Sequence, residues 1–247
     1  TVNVLFSKQI NKVTDYYLVA SSVGRNYVYN AFNPIPGRPL YSFYSYPWAG
    51  LDANGNPMGI WQGQKSTNYG SIVSSTLLDS MHFSGSFAPI YLGAFRNTIQ
   101  CGRLSLSFLI SYKGGHHFRK SSIMYDELFS TWSGHSDYSL RWQKSGDENT
   151  TNVPAIPPYP FDNLSNRDFF YKYSEVLIRK ADHIRFEDIS LSYEMDRNLI
   201  KSLPFQSARL YMYINHLGLL WTANKEKIDP VYLDLPTPGV SASIGIN

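Results

Sequence analysis

The chain has little of what marks a disulfide scaffold or a nucleic-acid-binding protein. One cysteine, Cys101, among 247 residues excludes an internal disulfide framework. Charged residues make up 17% of the chain, against about 25% in soluble domains, and the formal net charge is only +3. Because no basic run concentrates this charge, the sequence predicts no nucleic-acid partner.

Long apolar runs are also missing. No segment approaches the run of about 20 apolar residues that a membrane helix needs, and the mean hydropathy is −0.27. A membrane location stays open, because a β-barrel strand crosses with about 9–11 alternating residues. What is abundant is aromatic: 15% of the chain, with 19 Tyr and 14 Phe. Lectins, β-sandwiches and outer-membrane barrels share this composition.

Apolar and hydroxylated residues alternate with a period of two, which predicts strands with two different faces. In segment 103–112 the two faces are Leu104, Leu106, Phe108, Ile110 and Tyr112 against Ser105, Ser107 and Ser111. The same alternation puts four more serines on the polar face of later segments: Ser190, Ser192, Ser241 and Ser243. Recurrence in strand after strand favours a barrel wall, with lipid on one side and a wet lumen on the other.

The connections between the predicted strands alternate in length. We predict eight strands, at residues 1–8, 38–50, 55–63, 89–101, 103–118, 181–196, 206–220 and 238–247. Short turns are predicted at 52–55, 102 and 197–204, and long connections at 9–37, 64–88, 119–180 and 221–237. Outer-membrane barrels have short periplasmic turns and longer extracellular loops. The alternation therefore predicts that every long connection is extracellular.

The longest connection, 119–180, contains the candidate substrate-binding residues and a helix-forming stretch at 123–131. The candidates are Trp132, Tyr138, Arg141 and Trp142. Aromatic faces beside polar groups bind sugars or peptides. The alternative is that these side chains pin the loop to a barrel rim or to a partner.

A second aromatic series, in the predicted strand 38–50, is interpreted as a membrane-interface girdle. Its members are Tyr41, Tyr44, Tyr46 and Trp48. Outer-membrane barrels carry aromatic girdles at both interfaces.

Patterns that suggest metal or catalytic chemistry have simpler interpretations. His116 and His117 are adjacent and point to opposite faces of a strand, whereas zinc needs three or four converging ligands. Segment 52–56 resembles a calcium loop, but its Asn-Gly pair favours a hairpin turn. The carboxylate pairs at 126–127, 147–148 and 187–188, and the Ser-Gly-His-Ser-Asp run at 133–137, lack a catalytic context. We expect no enzymatic activity, no metal and no cofactor.

Five ordered segments carry a resemblance to a known family: 40–57, 85–107, 141–154, 184–193 and 209–230. They resemble the C-terminal part of SusC/RagA-type TonB-dependent outer-membrane transporters of Bacteroidetes. The resemblance covers residues 40–247 but only the last quarter or so of such a transporter. Two departures are Ala94, where the family usually has glycine, and Asn247, where it usually ends in an aromatic residue.

The resemblance implies an all-β fold: residues 1–247 would supply about eight strands of an antiparallel, 22-stranded transmembrane β-barrel. The segment 119–180 would be a long extracellular loop, and the plug and TonB box would lie in another part. The seven serines Ser105, Ser107, Ser111, Ser190, Ser192, Ser241 and Ser243 would face the lumen. Because alternation is already present at residues 1–7, we expect the chain to be a fragment or a processed piece.

The implied function is the import of oligosaccharides or oligopeptides across the outer membrane of a Gram-negative bacterium. The implied partners are the N-terminal barrel and plug portion, a SusD-like surface lipoprotein, TonB and outer-membrane lipid. Two alternatives stay open. One is a stand-alone eight-stranded barrel that acts as an adhesin or structural protein, and the other is a soluble glycan-binding β-sandwich.

Overall fold

The computed structural model of the chain describes residues 1–18, 21–29, 34–196, 207–233 and 235–246. Its strands are β1 (Val2–Lys8), β2 (Ser42–Ser45), β3 (Trp48–Leu51), β4 (Pro57–Trp61), β5 (Gln64–Ser66), β6 (His82–Ser86), β7 (Tyr91–Cys101), β8 (Leu104–Gly114), β9 (His117–Arg119), β10 (Ile178–Lys180), β11 (His183–Glu194), β12 (Arg209–Thr222) and β13 (Ser241–Ile246). Its α-helices are α1 (Arg25–Tyr29), α2 (Tyr69–Ser75), α3 (Tyr125–Thr131) and α4 (Leu164–Lys172).

The chain forms two compact units. Residues 1–9, 89–116 and 180–247 make the first, here called the sheet unit. Residues 10–88 and 117–179 make the second, here called the insert unit, because it consists of two segments inserted between strands of the first.

The sheet unit is built on one antiparallel sheet with the strand order β1-β7-β8-β11-β12-β13. The register pairs Tyr91 with both Lys8 and Gly114, and His183 with both Lys113 and Thr222. These residues adjoin the connections 9–90, 115–182 and 223–240, so all three long connections leave the sheet at the same end. The β7–β8 turn at the opposite end is short, with Gly102 at φ 58°.

Six of the eight predicted strands belong to this sheet, so the predicted antiparallel β architecture is confirmed at this level. The prediction that segments 38–50 and 55–63 are strands of this same sheet is wrong. Segment 38–50 contains β2 and β3, which pair with β6 and β4, and β4 also pairs with β5. Among the described residues, the short turn at Gly102 lies between the long connections 9–90 and 115–182. The predicted turn 197–204 and residue 247 lie outside the described residues.

The predicted aromatic girdle is wrong for Tyr44 and Tyr46, which are 5% and 0% exposed in the core of the insert unit. The Tyr46 hydroxyl donates to the Val73 carbonyl at 3.2 Å, and burial raises the pKa of this phenol. The backbone N–H of Tyr46 donates to the carbonyl of Tyr173 at 3.0 Å. Segment 38–50 alternates as a barrel strand does, but a distant part of the same unit covers it.

Helix α3 confirms the helix predicted at 123–131. Its Tyr125 lies in a second buried cluster with Ile123, Val153 and Leu164. The other three helices have five to nine residues, and so few turns leave no clear 3.6-residue period in the sequence. No helix in the described ranges is long and apolar enough to span a bilayer.

Candidate functional site

The seven predicted serines share one face of the sheet. In the register Ser107 pairs with Thr98 and Ser190, and Tyr213 pairs with Ser190 and Ser243. The neighbouring row on this face joins Gln100, Ser105, Ser192, Tyr211 and Gly245. Directly paired residues lie on the same side of a sheet, so the alternation predicted from sequence matches the register of these strands.

Hydrogen bonds and ion pairs run across this polar face. The Thr98 hydroxyl donates to the Ser107 hydroxyl oxygen at 3.0 Å. Arg96 Nη2 lies 3.1 Å from Asp188 Oδ2, and the Asp188 side chain is 9% exposed. The Ser111 hydroxyl donates to Glu187, which is an extra residue at a bulge in β11. These polar side chains thus have hydrogen-bond and ion-pair partners on neighbouring strands. Contact with water would suit the other polar side chains of this face.

The opposite face is apolar and largely uncovered in the described chain. A row of aromatic rings crosses it, with centroids 5.9 Å apart for Phe95 and Phe108 and 6.2 Å apart for Phe108 and Phe186. Val4 and Ile244 are 72% and 75% exposed. Large apolar patches of this kind mark contact with lipid or with another protein.

A groove of about 520 Å³ lies at the end of the sheet where the long connections leave. Arg185 lines it and forms a hydrogen-bonded ion pair with Asp229 at 2.5 Å, while its guanidinium carbon lies 5.3 Å from the centre of the Tyr232 ring. Sequence reasoning missed this group, because 44 residues separate the two charged partners.

The four candidate substrate-binding residues do not form one cluster of contacts. Trp132 is the C-cap residue of α3 and is 88% exposed. Arg141 stacks on Tyr138, with its guanidinium carbon 4.1 Å from the ring centre, and donates to the Tyr138 carbonyl at 3.0 Å. The role of the four residues in binding stays a prediction, and Trp132 is the most exposed of their three aromatic side chains.

Trp142 is held in the fold of the insert unit. Its indole N–H donates to Glu148 at 2.9 Å, and this bond holds the pKa of that carboxyl below its ordinary value. The ring packs on the backbone of Gly55, where a Cβ atom would lie 2.6 Å from the ring. Gly55 belongs to the predicted hairpin turn, which is confirmed: Asp52 accepts from the N–H groups of Asn54 and Asn56, each at 2.8 Å.

Asp137, at the end of the Ser-Gly-His-Ser-Asp run, is buried in an ion pair. Its carboxylate lies 2.9 Å from Lys120 Nζ and accepts from the Ser122 hydroxyl at 2.8 Å. These contacts anchor the 3₁₀ turn at 136–140.

Buried charges in the insert unit were also missed from the sequence. Burial lowers the pKa of Arg119 to about 10, and its guanidinium donates to the carbonyls of Tyr44 and Lys172 at 3.0 and 3.1 Å. Burial raises the pKa of Asp168 to about 6. Arg167 beside it is 3% exposed. A charged pair on a short helix normally indicates a solvated face, so the sequence carried no signal of this burial.

No protein-family model matches the chain, and no curated protein sequence matches it. Solved structures do. A structure of the RagAB peptide transporter has a TM-score of 0.54 and 18% identity, and the match covers 86% of this chain and 22% of that one.

Two further structures show the RagAB peptide importer in different states. In the closed-closed state the TM-score is 0.61 with 18% identity, and in the open-open state it is 0.57 with 17% identity. Both matches cover 99% of this chain and 26% of the other. The chain thus spans about a quarter of the length of these transporter chains. At such identities the likeness shows the fold.

Proposed function

We propose that this chain is part of the wall of an outer-membrane nutrient importer of the SusC/RagA type, and that it carries no enzymatic activity. The observation that carries the proposal is the two-faced sheet, with exposed apolar side chains on one side and hydrogen-bonded polar side chains on the other. The likeness of its fold to RagAB importer chains supports the same assignment.

Strand length supports a membrane position for the sheet. β7 and β8 have 11 residues each, β11 has 12 and β12 has 14. A tilted membrane strand needs about 9–11 residues. The apolar face would contact outer-membrane lipid, and the seven serines of the polar face would line the lumen.

The two outermost strands support a larger barrel. In the described sheet β1 and β13 each pair on one side only. Open strand edges in lipid leave backbone groups without hydrogen bonds, so closure requires further strands. We assign these strands, and the plug, to the N-terminal portion of the importer. A stand-alone eight-stranded barrel is less well supported, because this sheet has six strands.

The remaining parts of the proposal follow from the transporter type. The long connections would be extracellular and would meet a SusD-like surface lipoprotein, and TonB would supply energy through the N-terminal portion. For the cargo we favour oligopeptides over oligosaccharides, because the similar structures are of a peptide importer.

Isolation of the native complex tests this proposal. Membranes of the organism that makes the chain are extracted with detergent, the chain is captured through a tag, and co-purifying proteins and peptides are identified by mass spectrometry. We expect the chain in the outer-membrane fraction, in a complex with plug, further strands and a surface lipoprotein, with oligopeptides bound. A soluble, monodisperse chain obtained without detergent would overturn the proposal and favour a β-sandwich.

A further inference from the structure

A second groove, entirely within the insert unit, has the features of a ligand site. It has a volume of about 410 Å³, inside the range of about 300–1,000 Å³ typical of small-ligand sites. One wall consists of Pro157, Pro158 and Pro160, and the other includes Asn68, Asn163 and Arg167. Three prolines make a stiff apolar wall, and the opposite side is polar.

Arg167 is the unusual residue of this groove, because its charge is buried and only partly compensated. Nη2 donates to the Ala155 carbonyl at 2.7 Å, and the guanidinium carbon lies 5.6 Å from the centre of the Tyr125 ring. Nη1 is 3.8 Å from Asp168 Oδ1, which is beyond hydrogen-bond distance. Neither Nε nor Nη1 has a hydrogen-bond partner of acceptable geometry among the described residues.

Two neighbours of Arg167 compensate its charge only in part. Asp168 Oδ2 accepts from the backbone N–H of Asp126 at 2.7 Å. Tyr69 also lines the groove; its hydroxyl donates to the Pro57 carbonyl at 2.9 Å and interacts with the Arg167 side chain. A buried guanidinium with unused N–H groups is costly, and an anionic oxygen from a ligand would satisfy it.

Two amide side chains add donors to the same groove. Asn68 Oδ1 accepts from the backbone N–H of Ser71 at 3.1 Å. Asn163 Oδ1 accepts from Asn166 Nδ2 at 2.7 Å. With both amide oxygens occupied, each asparagine has its Nδ2 group, a donor, to offer a ligand.

The acidic surroundings restrict the charge of the ligand. Asp162 is exposed and lines the groove, and Asp168 lies beside Arg167. Two carboxylates around one guanidinium oppose a doubly charged group such as phosphate, whereas a single carboxylate is compatible with one arginine and two amide donors.

We propose that this groove binds a carboxylate of an oligopeptide, with Arg167 as its principal partner and Asn68 and Asn163 as supporting donors. The choice of an oligopeptide rests on the proposed function. The carboxylate itself has two sources, the C terminus of the peptide or an acidic side chain within it.

Binding to the purified, detergent-solubilised complex that contains the chain tests the proposal. The probes are three synthetic octapeptide mixtures: one with free C termini and no acidic residues, the same mixture amidated, and an amidated mixture that contains glutamate. We expect the fully amidated, acid-free mixture to bind roughly 10- to 100-fold more weakly than a mixture with a carboxylate. Comparison of the other two mixtures identifies the source.

Variants connect this effect to the groove. Arg167→Gln should abolish the preference for a carboxylate, and Arg25→Gln, which removes an exposed arginine from the same unit, should leave it intact. Because Arg167→Gln also removes a buried hydrogen bond, Asp162→Asn supplies an independent measurement: removal of an exposed acid should strengthen carboxylate binding several-fold.

Outcomes separate this inference from the proposed function. If the complex binds and imports peptides but Arg167→Gln and Asp162→Asn leave the carboxylate preference unchanged, the groove assignment is wrong and the import function stands. If the wild-type complex binds none of the three mixtures, both are wrong for peptides.

Discussion

The same substitution should have very different effects on stability at two neighbouring positions that lie on opposite faces of the sheet. Ile189 and Ser190 are adjacent in β11, a central strand. Ile189 pairs with Phe108 and Ile214 on the apolar face, and Ser190 pairs with Ser107 on the polar face. We therefore compare Ile189→Arg with Ser190→Arg.

The magnitude follows from their depth. β11 runs from His183 to Glu194, so its midpoint lies between Asp188 and Ile189. With a rise of about 3.3 Å per residue and a tilt of about 45°, both positions lie within about 4 Å of the strand midpoint, measured along the bilayer normal. An arginine that faces lipid near the bilayer midplane destabilises a barrel by about 2–4 kcal/mol. We expect this loss for Ile189→Arg and less than about 1 kcal/mol for Ser190→Arg.

Urea unfolding of the complex in lipid vesicles measures both free energies. Ile189→Ser serves as the control, because it removes the apolar contacts without adding a charge. Cysteine labelling gives a second readout: in a Cys101→Ser background, Ser190→Cys should react with a water-soluble maleimide much faster than Ile189→Cys. Equal tolerance of arginine at the two positions, together with equal labelling, would refute the assignment of lipid to one face and water to the other.

Three other outcomes concern the insert unit. Burial raises the pKa of Asp168 to about 6, against an ordinary 3.8. Its charged form therefore opposes folding above pH 6, and this penalty fades as the pH falls toward 4. In unfolding experiments Asp168→Asn should be more stable than wild type by up to about 3 kcal/mol at pH 8 and equal to it at pH 4. Gly55→Ala should lower stability by about 2 kcal/mol or more, because φ is +75° and the new Cβ meets the Trp142 ring at 2.6 Å; a thermal midpoint unchanged from wild type would contradict this packing. Trp132→Ala should leave the unfolding free energy within about 0.5 kcal/mol of the wild-type value. It should weaken octapeptide binding roughly tenfold if Trp132 contacts cargo, whereas unchanged affinity would exclude Trp132 from the binding site.

Much of the sheet unit was predictable because its signals are local. A period of two requires only neighbouring residues, so the strands that contain Ser105, Ser190 and Ser243 could be identified together with the faces that their side chains share. The short turn at Gly102 and the long connections on either side of it are also visible along the chain.

The insert unit shows where local signals mislead. Segment 38–50 alternates as well as a barrel strand does, yet Tyr46 is buried beneath Phe170, whose ring centre is 5.8 Å away. More than 120 residues separate the two along the chain. A hydrophobic pattern states that a face will be covered but does not identify what covers it.

The sequence by itself determined the two-faced strands and the order of the short turn and the long connections around β7 and β8, because alternation and turn chemistry act between neighbours. Only the tertiary structure decided that six described strands form the sheet, that Tyr44 and Tyr46 lie in a core, and that Arg167 lies buried with unused donors beside a proline wall. Strand pairing and charge burial depend on residues far apart in the chain, and their energies arise only when those residues meet.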